Sequence, residues 1–196
     1  MKTSRKEEIL QVAAGLFRER GYSAVSMRDI AFALDIKAAS LYNHISGKQE
    51  ILAGLILPIA EEFTSGMEMV LKENTSSLEK IKKLIEQQID ITLRHSEAMA
   101  TVNNDWMHLE GKSGASFEKM RDDYEENFRS IIKEGIDKNE FNPAHPEVIL
   151  FSILSTLRNL YLWHEKRGKL DVNVLKRDMV AVLINGIAQN SSVKIN

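Results

Sequence analysis

Residues 26–48 read SMRDIAFALDIKAASLYNHISGK, and the order of caps, turns and apolar positions in this stretch decides the fold. Ser26 with Asp29 three positions on is a helix start, because the hydroxyl and the carboxylate can each satisfy an orphan backbone amide. Ile30, Ala31 and Leu34 then face one way along a short helix. Asp35-Ile36-Lys37 makes a tight turn, and Ala38 to Ile45 gives one more short helix, with Leu41 and Ile45 inward and Ser40, Asn43 and His44 outward. Two short helices about three residues apart, the second presenting small and polar side chains, meet the requirement for entering a DNA major groove.

Upstream, Ile9, Leu10, Val12, Ala13, Leu16 and Phe17 recur at helical spacing from Ser4 to Arg20, and Gly21 follows as a stop. Downstream, Ser46-Gly47-Lys48-Gln49 reads as a second start signal, opening a long helix through Leu71 that Pro58 should kink. The organisation expected is a helix-turn-helix head over residues 1–47 and a helical ligand-binding and dimerisation body over residues 48–196. Five further helices are expected in the body: Ser77 to His95, Ala98 to Glu110, one carrying Phe117 to Ile136, Pro146 to Lys166, and Val172 to Asn190. Gly111-Lys112-Ser113-Gly114 reads as a flexible loop, and the tail Ser191 to Asn196 as disordered. The last two helices are apolar on several faces, which asks for a partner.

Composition agrees with an all-α chain of about nine helices. Among 196 residues, 43% hydrophobic, there are three prolines and ten glycines, and no Val/Ile/Thr-rich alternating run stands between turn residues. The absence of cysteine excludes disulfides and thiolate-held metals. The basic N-terminus leads into an amphipathic segment rather than an unbroken apolar run, and no stretch approaches the length of a membrane span, so a cytoplasmic protein is expected. Residues 1–49 carry eight Lys/Arg against five acids, a net +3, and the remainder 18 against 23, a net −5. A basic head on an acidic body suits a polyanion at one end, since Lys and Arg displace counterions from phosphates.

Lys37, Ala38, Ala39, Ser40 and Asn43 would lie at the front of the second short helix. There asparagine can pair with adenine, and alanine or the serine Cβ can touch a thymine methyl. Tyr42, His44 and Lys48 lie where a helix flank and a helix N-terminus would meet phosphates. An enzyme is not expected: there is no glycine-rich phosphate loop, nucleophile elbow or cysteine nucleophile, and Asp122-Asp123 and Glu125-Glu126 read as a wet helix face. His95, His108, His145 and His164 are scattered, with no carboxylate at ligand spacing beside them, so no catalytic residue, metal or cofactor is assigned.

With these positions in order, the stretch from Ser4 to Leu55 resembles the TetR family of regulators. The resemblance runs through Ile9-Leu10, Ala13, Leu16-Phe17, Gly21-Tyr22, Ser26-Met27-Arg28-Asp29-Ile30-Ala31, Leu41-Tyr42-Asn43-His44-Ile45 and Lys48. It implies that Ser26 and Arg28 support or make DNA contacts, that Lys37 to His44 is the recognition segment, and that Tyr42, His44 and Lys48 touch phosphates. The apolar run from Val148 to Ile187 leads to the expectation of a homodimer through the last two helices, and its twofold symmetry to a palindromic operator. The chain departs from the usual pattern at Asp35, Lys37, Ala39 and Ile45, so a base preference does not carry over.

The final helices resemble the body of a TetR subgroup connected with fatty-acid and sterol breakdown, through Asn159-Leu160-Tyr161-Leu162-Trp163-His164, Gly168-Lys169-Leu170 and Leu183-Ile184-Asn185-Gly186-Ile187. That likeness implies a small apolar effector of the acyl-CoA type. Aromatic or polar residues on otherwise apolar helices make Asn103, Trp106, Tyr124, Phe128, Arg158, Asn159 and Trp163 the candidate effector residues; for each, ordinary packing is the stronger reading, since an aromatic at helical spacing is more often core. A multidrug sensor and an effector-independent repressor of the same fold fit the same letters.

Overall fold

The computed structural model describes residues 4–167 and 170–187, and among them the chain is all-α, with ten helices and no strand. α1 (Arg5–Arg20) begins at Ser4, whose Oγ accepts from the Glu7 amide while the Glu7 carboxylate accepts from the Ser4 amide. It stops at Gly21, at φ 79°, whose N–H closes onto the Phe17 carbonyl. α2 (Met27–Ala33) starts from the same reciprocal arrangement between Ser26 and Asp29. Asp35 takes the left-handed conformation, φ 54°, which its short polar side chain tolerates better than a branched one. α3 covers Ala38–Leu41 only, and the chain goes on to Ile45 in turns that keep the Ile45 amide on the Leu41 carbonyl. Lys37 at its head supplies no side-chain cap, so little holds this helix beyond the burial of Leu41 and Ile45.

α4 (Lys48–Leu71) runs through Leu71 as expected with Pro58 inside it, which removes the amide that would bond the Gly54 carbonyl. The start signal here differs from the sequence reading: Glu50, not Gln49, takes both the amide and the hydroxyl of Ser46, at 2.8 and 2.7 Å. α5 (Ser77–Arg94) follows, then α6 (Ser96–Asn104), which ends sooner than the expected Glu110 and gives way to a single 3₁₀ turn at Trp106–His108.

Gly111 to Gly114 is not a loop but the first turn of α7 (Gly111–Asp137). Glycine serves close approach here, since a Cβ on Gly114 would stand 2.6 Å from the Leu109 carbonyl oxygen. Near its other end, a Cβ on Gly135 would stand 2.2 Å from the Phe141 ring, which folds back there with its amide on the Gly135 carbonyl.

The helix expected from Pro146 to Lys166 is two helices, α8 (Pro146–Arg158) and α9 (Leu160–Arg167). Ser152, Thr156 and Asn159 each donate a side-chain hydrogen bond to the carbonyl four residues earlier, and such back-bonding bends and interrupts a helix. α10 (Val172–Asn185) is capped by Asp171. Residues 188–190, Gly168-Lys169 and the tail Ser191 to Asn196 lie outside the described residues.

Two compact units result, drawn from the described residues of Met1–Glu61 with His95–Met120 and of Glu62–Arg94 with Arg121–Asn196. These are cut elsewhere than at 47/48, because the first unit takes in α6, which packs along α1. In the first unit Ile9, Phe17, Ile30, Leu41, Ile51 and Leu52 are buried. In the second, Phe128 sits among Ile81, Ile85, Ile132, Leu154 and Leu175. Ion pairs tie its helices: Lys176 to Asp90 at 2.6 Å, Arg158 to Glu125 at 2.5 Å, and Arg129 to Glu126 and Glu147. Among the described residues no helix is long and apolar enough to cross a membrane.

Candidate nucleic-acid interface

The turn between α2 and α3 places the polar segment outward because only Leu41 and Ile45 of it are consumed by the core, both with about no exposure. Arg28, Lys37, Ala39, Asn43 and His44 are exposed, Ala38 and Ser40 are half-buried, and Tyr42 is 53% exposed. A tyrosine left that far outside a well-packed core is available to a partner. Ser26 is exposed, but its hydroxyl is committed to Asp29: it accepts from the Asp29 amide at 3.2 Å and donates to the carboxylate at 2.5 Å. The Ser26 hydroxyl and amide together hold the Asp29 carboxyl below its ordinary range.

Lys48 begins α4 half-buried, with its ammonium 4.0 Å from the centroid of the Tyr22 ring and 5.9 Å from that of Phe17. This is a cation over aromatic faces, and burial pulls the ammonium below its usual pKa. Tyr22 is itself buried, edge-on to Phe17 and stacked on His108 at 5.3 Å. Burial, and then the charge of Glu110, push its phenol up. Its amide reaches the Asp105 carboxylate at 3.4 Å, and burial raises that carboxyl against the pull of the amide.

Gln49 completes the group. Its amide nitrogen donates to the Tyr22 hydroxyl at 3.1 Å and to the His108 carbonyl at 2.8 Å, and its oxygen accepts from the Glu110 amide at 3.2 Å. Sequence reasoning missed Gln49, Asp105 and His108. The one local signal, a glutamine in a helix's first turn, pointed to capping instead.

The effector candidates do not gather in one place. Asn103 and Trp106 are half-buried in the first unit, Trp106 tilted on Phe117 at 5.6 Å. Tyr124 and Phe128 are buried together in the second unit, 6.1 Å apart, with Phe63 beside Tyr124. The Tyr124 hydroxyl stands 3.4 Å from the amide oxygen of Gln88, and burial pushes this phenol far up. Arg158 pairs with Glu125, Asn159 is exposed and bonded to the Ser155 carbonyl, and Trp163 is 45% exposed. No group of three His, Asp or Glu side chains among the described residues could hold a metal ion.

A short helix pair that lays an exposed, polar, groove-sized segment on a basic head defines a helix-turn-helix protein. Residues 9–55 match the profile of bacterial regulatory proteins of the tetR family, and residues 74–187 match the tetracyclin repressor-like C-terminal domain. The chain belongs to the TetR family, whose members are transcription regulators rather than enzymes. It is 25% identical over 194 residues to the HTH-type transcriptional repressor KstR2 of Mycolicibacterium smegmatis, covering 97% of this chain and 94% of that one. The solved structure of the ketosteroid transcriptional regulator KstR2 of Mycobacterium tuberculosis superposes with a TM-score of 0.88 at 21% identity, over 97% of this chain and 98% of that one. A structure of AibR in complex with isovaleryl coenzyme A and operator DNA gives 0.77 at 24% identity, over 92% and 98%.

Proposed function

We propose that this regulator is a cytoplasmic homodimeric repressor that binds a palindromic operator through residues 1–47 and leaves it when a small apolar effector, of the acyl-CoA class, binds the body formed by residues 48–196. The observation that carries the reading is the exposed segment Lys37–His44, held outward by the two buried anchors Leu41 and Ile45. Arg28 and Ser26 are exposed at the start of α2, and Lys48 stands at the N-terminus of α4, an end whose dipole favours a phosphate.

Dimerisation is assigned to α8 and α10. Val148 and Phe151 on α8 and Val182 on α10 are 60%, 72% and 72% exposed, and a second copy covering them as a four-helix bundle removes that apolar surface from water. Twofold symmetry then sets operator half-sites about 34–36 Å apart, or a multiple of this. The acyl-CoA class is supported by the relative whose structure holds isovaleryl coenzyme A and operator DNA. No cofactor enters the scheme.

The test is selection of operators from random DNA, followed by two variants. Lys48→Ala weakens binding evenly across sequences and flattens the salt slope by about one, as loss of a phosphate contact does. Asn43→Ala relaxes preference at one position. Loss of affinity in both with sequence preference and salt slope unchanged sinks the assignment of the recognition segment. Titration with a long-chain acyl-CoA, a free fatty acid and a planar hydrophobic drug, read by operator release, then separates the lipid effector from a drug sensor. No release by any of the three favours an effector-independent repressor.

A further inference from the structure

We infer that Gln49 is a positioning residue that couples the corner between α6 and α7 to the operator-reading head. A glutamine side chain offers two N–H donors and one carbonyl. Here one end meets the Tyr22 hydroxyl and the His108 carbonyl, and the other meets the Glu110 amide. These partners lie 27, 59 and 61 residues away in sequence, so the side chain does not cap its own helix; Glu50 performs that task with Ser46.

What Gln49 joins gives the link its meaning. On one side is Tyr22, packed on Phe17 of α1 and covered by the ammonium of Lys48. On the other is the 3₁₀ turn that starts at Trp106 and ends at His108, followed by Glu110 and the first residue of α7. The His108 ring stacks on Tyr22, Ser23 Oγ lies 3.4 Å from His108 Nε2, and Asp105 receives the Tyr22 amide. A displacement of the Trp106–Glu110 turn therefore pulls Gln49 and Tyr22 together, and both neighbour Lys48, the first residue of α4. Trp106 reports on that turn through its contact with Phe117.

The inference rests on the proposed operator binding but needs no effector, because coupling between two sites is reciprocal: if the turn moves the head, operator binding must perturb the turn. The experiment uses full-length protein carrying Trp163→Phe, so that all emission comes from Trp106, with a selected operator duplex followed in parallel by gel shift. Saturating operator changes Trp106 emission in this parent. Adding Gln49→Met removes the change while operator affinity stays within about fivefold, the low end of an allosteric coupling. Tyr22→Phe deletes one hydroxyl, keeps the ring stack, and cuts the change to about half or less; it carries the test alone if far-UV circular dichroism shows Gln49→Met to be unfolded.

An emission change of parental size in the variants overturns the role of Gln49. Operator binding with no Trp106 response in the parent overturns the coupling and leaves the repressor reading standing. A parent that binds no selected duplex overturns both.

Discussion

Tyr22 and Tyr124 are buried to nearly the same degree, 8% and 9% exposed, and each sits in an aromatic cluster, yet their surroundings differ in kind. Tyr124 in the second unit has Phe63 and Phe128 about it, within a core of Met67, Val70, Ile85 and Ile89. In that core its hydroxyl faces the amide oxygen of Gln88. Tyr22 in the first unit has Lys48 over its face, His108 stacked below, the Asp105 carboxylate at its amide and Gln49 at its hydroxyl. Equal burial thus hides two designs. A dry cluster holds position through area removed from water and is indifferent to direction. A cluster of oriented hydrogen bonds transmits displacement, because each bond weakens steeply when its geometry changes.

The largest effect is expected at Phe128, which has 0% exposure in the core of the second unit. Phe128→Ala leaves a cavity that helices α5, α7 and α8 cannot fill, and a loss of about 3–5 kcal/mol in unfolding free energy is expected from urea melts. A loss under about 1 kcal/mol would mean that the cluster is not packed as described.

The two hydroxyls sharpen the contrast. Tyr124→Phe removes a long hydrogen bond to Gln88 and should cost no more than about 1.5 kcal/mol of stability. Operator affinity and the operator-induced Trp106 signal should both be unchanged. Tyr22→Phe has a similar stability cost and a diminished signal. Equal effects of the two substitutions on the Trp106 signal would erase the distinction between a holding cluster and a transmitting one.

The same difference explains what the amino-acid order revealed. The cap at Ser26 with Asp29 is made between residues three apart, so it is written locally and was read correctly; the matching cap at Ser4 with Glu7 has the same spacing but was not singled out. The outward set from Lys37 to His44 follows from where Leu41 and Ile45 must point. Membership in the TetR family was likewise legible from the head. Gly111 to Gly114 was misread, because glycine marks both a flexible loop and a close approach, and only the Leu109 carbonyl at 2.6 Å decides between them. The break at Asn159 was hidden by an apolar pattern that continues unbroken through it, whereas three side chains bonding back to carbonyls interrupt the helix. Gln49 was invisible as a joint since every partner it holds is distant in sequence.

The smallest expected effect lies at the seam between α1 and α4, where Lys6 meets Glu50 at 2.6 Å. The Lys6 ammonium first, and then the amide and hydroxyl of Ser46, pull the Glu50 carboxyl from 4.5 down to about 2. A carboxylate with a lowered pKa in the folded state stabilises the fold above its unfolded value and ceases to do so as pH falls through the folded one. The contribution of Glu50 is therefore whole at pH 7, begins to shrink below about pH 4.5 and is gone below about pH 2. The side chain is 34% exposed, so solvent screening holds the ion-pair part to less than about 1 kcal/mol. Glu50→Gln keeps an acceptor for Ser46 and deletes the charge. Its urea midpoint should fall slightly below that of the unsubstituted protein at pH 7, and the gap should shrink markedly by pH 2.5, close below about pH 2, and narrow in about 1 M salt, where screening acts within about 3 Å. A gap of the same size at pH 7 and pH 2.5 would assign the effect to the hydrogen bonds with Ser46 and remove charge from this seam.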